Sequence, residues 1–291
     1  MCNFATMNGN DTDDTIRIDI DAVLRERAPR YHRFIPRFLI RKLEDIVCQN
    51  QLNEMLSINN GKTGSAFCRG VIDHLNIKVD FHGEENLPAD SRAVIVSNHP
   101  LGGLDGMIYI DYIARRYGME PRFLVNDLLM AVTPLREVFL PVNKHGKQSR
   151  SSLRILDEAL AGNRPVIIFP AGLVSRRGKG GVIADLQWQK TFVNKCKEFK
   201  RPIIPAFFNG QNSSFFYNFA KFRTKLGLKF NIEMIYLPSE VFKSRNARYS
   251  VTFGQAIRWE TLAAGCHAQA TADSIRQATY ALKNDDRQPN H

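Results

Sequence analysis

Apolar residues in this chain follow two alternating rhythms. Short continuous runs have the length and composition of buried strands: IKVDFHG (77–83), AVIVS (93–97), RFLVN (122–126), FLPVN (139–143), PVIIFPAG (165–172), RPIIPAFFNG (201–210), FNIEMIYLP (230–238) and YSVTFGQAI (249–257). Between them, apolar positions recur every three to four residues. That spacing predicts helices over 64–76, 104–117, 127–139 with a break near Pro134, 149–161, 183–199 and 269–283. Gly118 and Gly162 supply stops for two of them. Strands alternating with helices predict an α/β fold, with a mostly parallel central sheet covered by helices on both faces.

The N-terminal part departs from this rhythm. Residues 1–22 begin with a polar run rich in Asn, Asp and Thr and are expected to form a disordered tail. Residues 23–74 form a basic helical region, and residues 75–291 the α/β domain, with no repeat or flexible mid-chain linker. Between Arg25 and Lys42 stand Arg27, Arg30, Arg33, Arg37 and Arg41 against one acid, Glu26. Apolar residues interleave with them, and their spacing predicts a helix starting near Pro36. Such a helix can lie in a lipid headgroup layer, with Arg30, Arg33, Phe34, Arg37, Phe38 and Arg41 at the membrane interface. The plainer alternative packs it on the main domain with its arginines in water.

Composition changes the picture at one point. Across 291 residues, 44% hydrophobic and 24% charged content is ordinary for a globular chain, but a net charge of +11 is not. It calls for an anionic partner: a membrane surface, a phosphorylated ligand or nucleic acid. The five cysteines, Cys2, Cys48, Cys68, Cys196 and Cys266, have no metal-like spacing and suit a reducing compartment. The N-terminus lacks the layout of a signal peptide, and no apolar stretch is long enough to span a bilayer, so any membrane contact is peripheral.

Candidate chemistry sits in SNHPLGGLDG, 97–106. His99 falls at the end of the AVIVS strand and Asp105 just inside the next helix, so both can face the cleft where open α/β sheets bind ligands. A histidine held by a carboxylate is a general base. Pro100, Gly102 and Gly103 shape the turn, and Asn98 precedes it. Ser91 and Ser97 lack the surroundings of an activated nucleophile, which leaves a substrate hydroxyl for His99 to activate. The spacing is not that of a dinucleotide loop, and His99 with Asp105 is too small a set for a metal. A tight turn with a capping aspartate remains the alternative. A second motif, FPAGLVSRRGKGG at 169–181, places small residues and the cations Arg176, Arg177 and Lys179 at another strand end, where they suit a phosphate or carboxylate; a solvated basic loop is the other possibility.

Taken in order, these motifs resemble the lysophospholipid acyltransferase superfamily over residues 75–260. Asn98, His99 and Asp105 are similar to its Asn-His motif with a downstream aspartate. Phe169, Pro170, Gly172, Ser175 and Arg176 are similar to its second motif, and Pro202–Pro205 to its late proline-bounded strand. There are departures. Five residues separate His99 from Asp105 where the family usually has four, Ala171 stands for a usual Glu, and Val174 for a usual Arg. These changes weigh against glycerol phosphate as acceptor. The NHPLGGLDG form resembles the hemolysin-like branch with lyso-ornithine and lyso-glycine lipid O-acyltransferases.

The resemblance implies an O-acyltransferase, with His99 and Asp105 catalytic and Asn98, Gly102 and Gly103 supporting the loop. Phe169, Pro170, Gly172, Ser175, Arg176, Arg177 and Lys179 are expected to bind substrate. No metal or cofactor is implied beyond a thioester co-substrate, carried by acyl carrier protein or coenzyme A. The acceptor is a lysolipid, most plausibly a lyso-amino-acid lipid. Acylation of lysophosphatidic acid or another lysophospholipid, and non-catalytic lipid binding at a membrane surface, are the alternatives. Expected partners are an anionic membrane surface and these two substrates, with no nucleic acid, and the expected place is the cytoplasmic face of the cell membrane.

Overall fold

A computed structural model of the protein describes residues 17–126, 129–130, 132–142, 150–228 and 230–283. The tail expected at 1–22 lies outside the described residues as far as position 16. Three short N-terminal helices come first: α1 (Ile20–Arg27), α2 (Pro29–His32) and α3 (Arg37–Ile46). The Asp19 side chain caps α1 by accepting the Ala22 N–H. Pro36 lies immediately before the first residue of α3, as its spacing predicted. The helices α4 (Gln49–Ile58) and α5 (Gly64–His74) lead into the sheet. Gln49 and Asn53 on α4 take the backbone N–H groups of Ile20 and Ile18, which ties the start of the described chain to the body.

The remaining order is β1 (Lys78–His82), β2 (Val94–Ser97), α6 (Leu104–Tyr117), β3 (Arg122–Asn126), β4 (Phe139–Val142), α7 (Arg150–Ala161), β5 (Val166–Ile168), β6 (Arg176–Arg177), β7 (Ile183–Ala184), α8 (Thr191–Glu198), β8 (Ile203–Asn209), α9 (Ser214–Lys225), α10 (Leu237–Lys243), β9 (Arg248–Phe253) and α11 (Ala268–Ala281). Seven strands form one sheet in the order β1-β9-β8-β2-β5-β3-β4. The run β8-β2-β5-β3-β4 is parallel throughout; β9 opposes β8, and β1 follows β9. The sheet is thus mostly parallel, with two reversed strands at one edge.

Period-two alternation sends each strand's side chains to two cores. Ile95, Ile167, Ile204 and Phe208 join Leu104, Ile108 and Ile113 of α6 and Val71 of α5 on one face. Val94, Val96, Val166, Ile168 and Ile203 join Leu156, Val193 and Ile275, from α7, α8 and α11, on the other. Strands apolar on both faces are what a helix-covered parallel sheet requires.

Three predicted elements differ. Over 127–139 the described residues hold no α-helix: residues 129–130 and Thr133–Leu135 are 3-10, the latter turn containing the proline that ended the helical pattern, and Phe139 already opens β4. The helix expected over 183–199 shortens to α8; residues 183–184 pair with 176–177 as an antiparallel hairpin, and 185–190 run irregularly because Asp185 and Trp188 are drawn inward. The strand expected at 230–238 is a 3-10 turn, Ile232–Tyr236, leading into α10. Glu233 is its pivot: the side chain is fully buried between Arg176 and Arg223, at 2.8 Å from each. Alternating apolar residues mimic a strand there, and only a tertiary ion pair reveals the turn.

Candidate active site

The centre of the parallel run ends in three neighbouring loops. After β2 comes Asn98, whose side chain spans to β8. Its Nδ2 donates to the Phe208 carbonyl at 2.9 Å, and its Oδ1 accepts the Phe208 N–H at 2.7 Å. The side chain continues a strand pairing where the backbone has turned away. His99 follows, and its Nδ1 lies 2.9 Å from Asp105 Oδ2.

Asp105 has no solvent exposure. Besides His99, its Oδ2 accepts the Leu101 N–H at 2.9 Å and the Gly102 N–H at 3.4 Å, and its Oδ1 accepts the Gly106 N–H at 2.9 Å. Burial pushes this carboxyl up, but the His99 charge, the His99 hydrogen bond and the Leu101 and Gly106 N–H groups outweigh it and hold Asp105 below its ordinary value. An ionised Asp105 can only accept, so Nδ1 of His99 carries the proton and donates. The lone pair of the neutral ring is then on Nε2. The imidazole stacks on Phe169 at 4.1 Å between ring centroids, and its side chain keeps 15% exposure, enough to meet a substrate atom.

The glycines have separate reasons. Gly102 has φ +85°, and a Cβ there would come within 2.8 Å of both Leu237 and Val174. The chain between His99 and Asp105 therefore closes over Val174 of the second motif and Leu237 of α10 only with glycine at that position. A Cβ on Gly103 would meet nothing within 4 Å, so its backbone borders open space. Among the described residues the Gly103 N–H has no acceptor, whereas the Gly172 N–H is spent on the Phe169 carbonyl at 2.9 Å.

Phe169–Gly172 leaves the end of β5, as predicted, and the chain then doubles back beside His99. Ser175 donates its backbone N–H to the His99 carbonyl at 2.8 Å. Pro170 is buried, with its carbonyl taking the Gln189 N–H. Arg176 lies near the Phe216 ring and pairs with Glu233. Arg177 donates to the Asn218 side-chain oxygen at 3.0 Å and stands over Tyr217. Lys179 begins a 3-10 turn after β6. The structure thus brings Asn98, His99, Asp105, Phe169, Pro170, Gly172 and Ser175 together, with Arg176 and Arg177 on the adjoining hairpin. Arg30, Arg33, Phe34, Arg37, Phe38 and Arg41 lie apart from this cluster, exposed along α2, α3 and the turn between. Among the described residues no cluster of His, Cys, Asp and Glu could hold a metal ion.

One residue escaped the motif search. Asp185 is 5% exposed, and its Oδ1 accepts both the His99 N–H at 3.1 Å and the Ser175 hydroxyl at 2.6 Å. Its Oδ2 accepts the Trp188 indole N–H at 2.9 Å. Burial raises this carboxyl above its ordinary value despite those three donors. From α11, Tyr280 accepts the Asp185 N–H and Arg276 donates to its carbonyl, both at 2.7 Å. A single residue joins the two motif loops, through its carboxylate, and the last helix, through its backbone. Only an acid beside a tryptophan in an amphipathic stretch marks it in the sequence.

Residues 22–287 match the model of a family described as acyltransferase. A lyso-glycine lipid O-acyltransferase of Bacteroides thetaiotaomicron is 40% identical over 272 residues, covering 93% of this chain and 100% of the relative. A protein of the same description from Phocaeicola vulgatus is 41% identical over 272 residues, covering 93% of this chain and 97% of the relative. The crystal structure of the 1-acyl-sn-glycerophosphate acyltransferase of Thermotoga maritima is a looser likeness, with TM-score 0.47, 14% identity and 93% coverage of each chain.

Proposed function

The chain belongs to the acyltransferase family, and from that premise we propose that it moves a fatty acyl group from a thioester to the hydroxyl of a lysolipid, with lyso-glycine lipid as the preferred acceptor. The observation that carries the reading is the 2.9 Å contact between His99 and a fully buried, ionised Asp105, with the imidazole still partly exposed and no protein partner on Nε2 among the described residues. Nε2 takes the proton of the lipid hydroxyl as the oxygen attacks the thioester carbon. The C–O bond forms, the C–S bond breaks, and the imidazolium returns its proton to the departing thiolate. Asp105 holds the ring and stabilises its charged form without itself becoming protonated. No acyl-enzyme is required.

The Gly103 N–H, without an acceptor among the described residues and on a backbone that borders open space, is the donor we assign to the oxyanion of the tetrahedral intermediate. A glycine-lipid acceptor carries a carboxylate, which Arg177 suits. Its only hydrogen-bond partner among the described residues is a neutral Asn218 amide, so its charge is still available, whereas that of Arg176 is met by Glu233. The acyl donor is an acyl carrier protein or coenzyme A thioester.

A lipid acceptor also gives the exposed N-terminal helices a role. Tyr31, Phe34 and Phe38 stand out by about two-thirds of their surface or more beside Arg30, Arg33, Arg37 and Arg41, and the pattern suits the headgroup region of an anionic leaflet. Among the described residues no helix is long and apolar enough to cross a membrane. The test of acceptor choice is direct. Purified protein with labelled acyl-acyl carrier protein or acyl-coenzyme A should acylate mono-acylated glycine lipid at least tenfold faster than 1-acylglycerol-3-phosphate. The reverse order would move the assignment to the glycerophosphate acceptor.

A further inference from the structure

A second lipid-facing surface lies outside the basic N-terminal region. The helix α9 is apolar on two sides. Phe216, Tyr217 and Ala220 are buried toward the domain. On the opposite side Phe215, Phe219, Phe222 and Leu226 follow the i, i+4, i+7, i+11 spacing of a single helical stripe. Phe222 and Leu226 are each 58% exposed, and Phe230, just beyond the helix, is 83% exposed. Phe215 and Phe219, at the start of the stripe, pack on the Tyr236 ring, so the uncovered part is Phe222 and Leu226 with Phe230 beyond them, and such an apolar patch on a formed helix marks an interaction surface rather than a core face.

Charge selects the occupant. No Asp or Glu occurs between residues 199 and 232, while Lys221 and Lys225 are exposed on the same helix. Among the described residues neither lysine has an acidic partner. Lys243 of α10, also half exposed, sits over the Phe215 ring at 5.8 Å, although its charge is met by Glu240 at 2.7 Å, which leaves Lys221 and Lys225 as the unpaired cations of the border among the described residues. Large apolar side chains bordered by cations match a headgroup layer over an acyl layer. A protein interface more often mixes both signs in its rim. The helix that carries the stripe also adjoins the catalytic loops, since Asn218 of α9 holds Arg177 and Leu237 of α10 packs where a Gly102 side chain would fall.

We infer that the α9 stripe, Phe222 and Leu226 with Phe230 beyond it, inserts into an anionic bilayer and presents the His99 loop to acceptor lipid lying there. The inference rests on the lipid-acceptor reading given above, but its test involves no catalysis. Phe230→Trp protein is mixed with vesicles of 30% phosphatidylglycerol in phosphatidylcholine, with no lysolipid or donor, and its emission is compared with that of the wild type. Insertion shifts the added Trp signal to the blue, and brominated acyl chains quench it by half or more. Replacing Phe222, Leu226 and Phe230 together by Ser lowers vesicle partitioning at least tenfold, while the thermal midpoint stays within a few degrees. An added Trp that keeps solvent-exposed emission while the protein still sediments with the vesicles would overturn the inference. A wild-type protein that ignores the vesicles would overturn it equally, as would a shift produced by acyl carrier protein without lipid. None of these outcomes touches His99-dependent transfer to a detergent-dispersed acceptor, so failure of the stripe and failure of the proposed reaction are separable.

Discussion

Replacing Asp185 with Asn is the most informative single perturbation away from the reacting atoms. The amide is nearly isosteric. Its oxygen can still accept the His99 N–H and the Ser175 hydroxyl, but its NH2 then faces the Trp188 indole N–H, donor against donor. Trp188 is fully buried, so its N–H loses its only partner among the described residues. One such orphaned group costs about 1–3 kcal/mol. The carboxylate also anchors the His99 backbone, and a displacement of about 1 Å in a catalytic group costs on the order of 10²-fold. Asp185→Asn should therefore lower kcat by about 10–100-fold with the acceptor KM within threefold.

The pH dependence separates anchoring from general destabilisation. Burial raises Asp185 in the folded state, so its contribution to stability is full below the unfolded carboxyl value and is lost as pH rises through the higher folded value. Asn lacks that loss. The variant's deficit against wild type, from urea unfolding at pH 3 to 8, should therefore be largest at acid pH and shrink toward neutrality. Steady-state kinetics on the same preparations complete the assay. A variant less stable by the stated amount but with wild-type kcat would refute the positioning role and leave Asp185 a purely structural acid.

Other consequences follow from the same contacts. Glu233→Gln leaves the Arg176 and Arg223 guanidinium groups facing each other around a neutral amide, and removing one partner of a buried pair costs about 3–5 kcal/mol, measurable by denaturant titration. Gly102→Ala must place a side chain at φ +85° and within 2.8 Å of Leu237 and Val174; left-handed backbone alone costs about 1–2 kcal/mol, and kcat should fall with stability because the Asp105 cradle moves. Arg177→Ala should raise the KM for a carboxylate-bearing acceptor several-fold at constant kcat, and an unchanged KM would show that the guanidinium faces only water.

Much of this site was legible in the sequence because its signals are local. A strand run ending in Asn98–His99, a glycine turn and an acid at the next helix start dictate their own geometry, and α6 occupies the 104–117 span its periodicity predicts. The parallel core strands were legible for the same reason, since residues apolar on both faces leave few alternatives. What escaped was set by distant partners. The segment 185–190 carries a helical pattern, but a buried carboxylate with donors on three separate residues keeps it irregular. The 3-10 turn around Glu233 depends on Arg176 and Arg223, which lie 57 and 10 residues away in the chain. In the aromatic run 214–225, stripes on both sides of α9 blur the single-face periodicity that identifies a surface helix.

The central claim is that an imidazole oriented by Asp105 removes the acceptor's proton. The measurement that tests it most directly is single-turnover acyl transfer by His99→Ala, with folding verified by circular dichroism and thermal melting. The account predicts a fall of at least about 10²–10⁴-fold with the fold retained, the range that general-base assistance supplies. Transfer at the wild-type rate by the folded variant would contradict it.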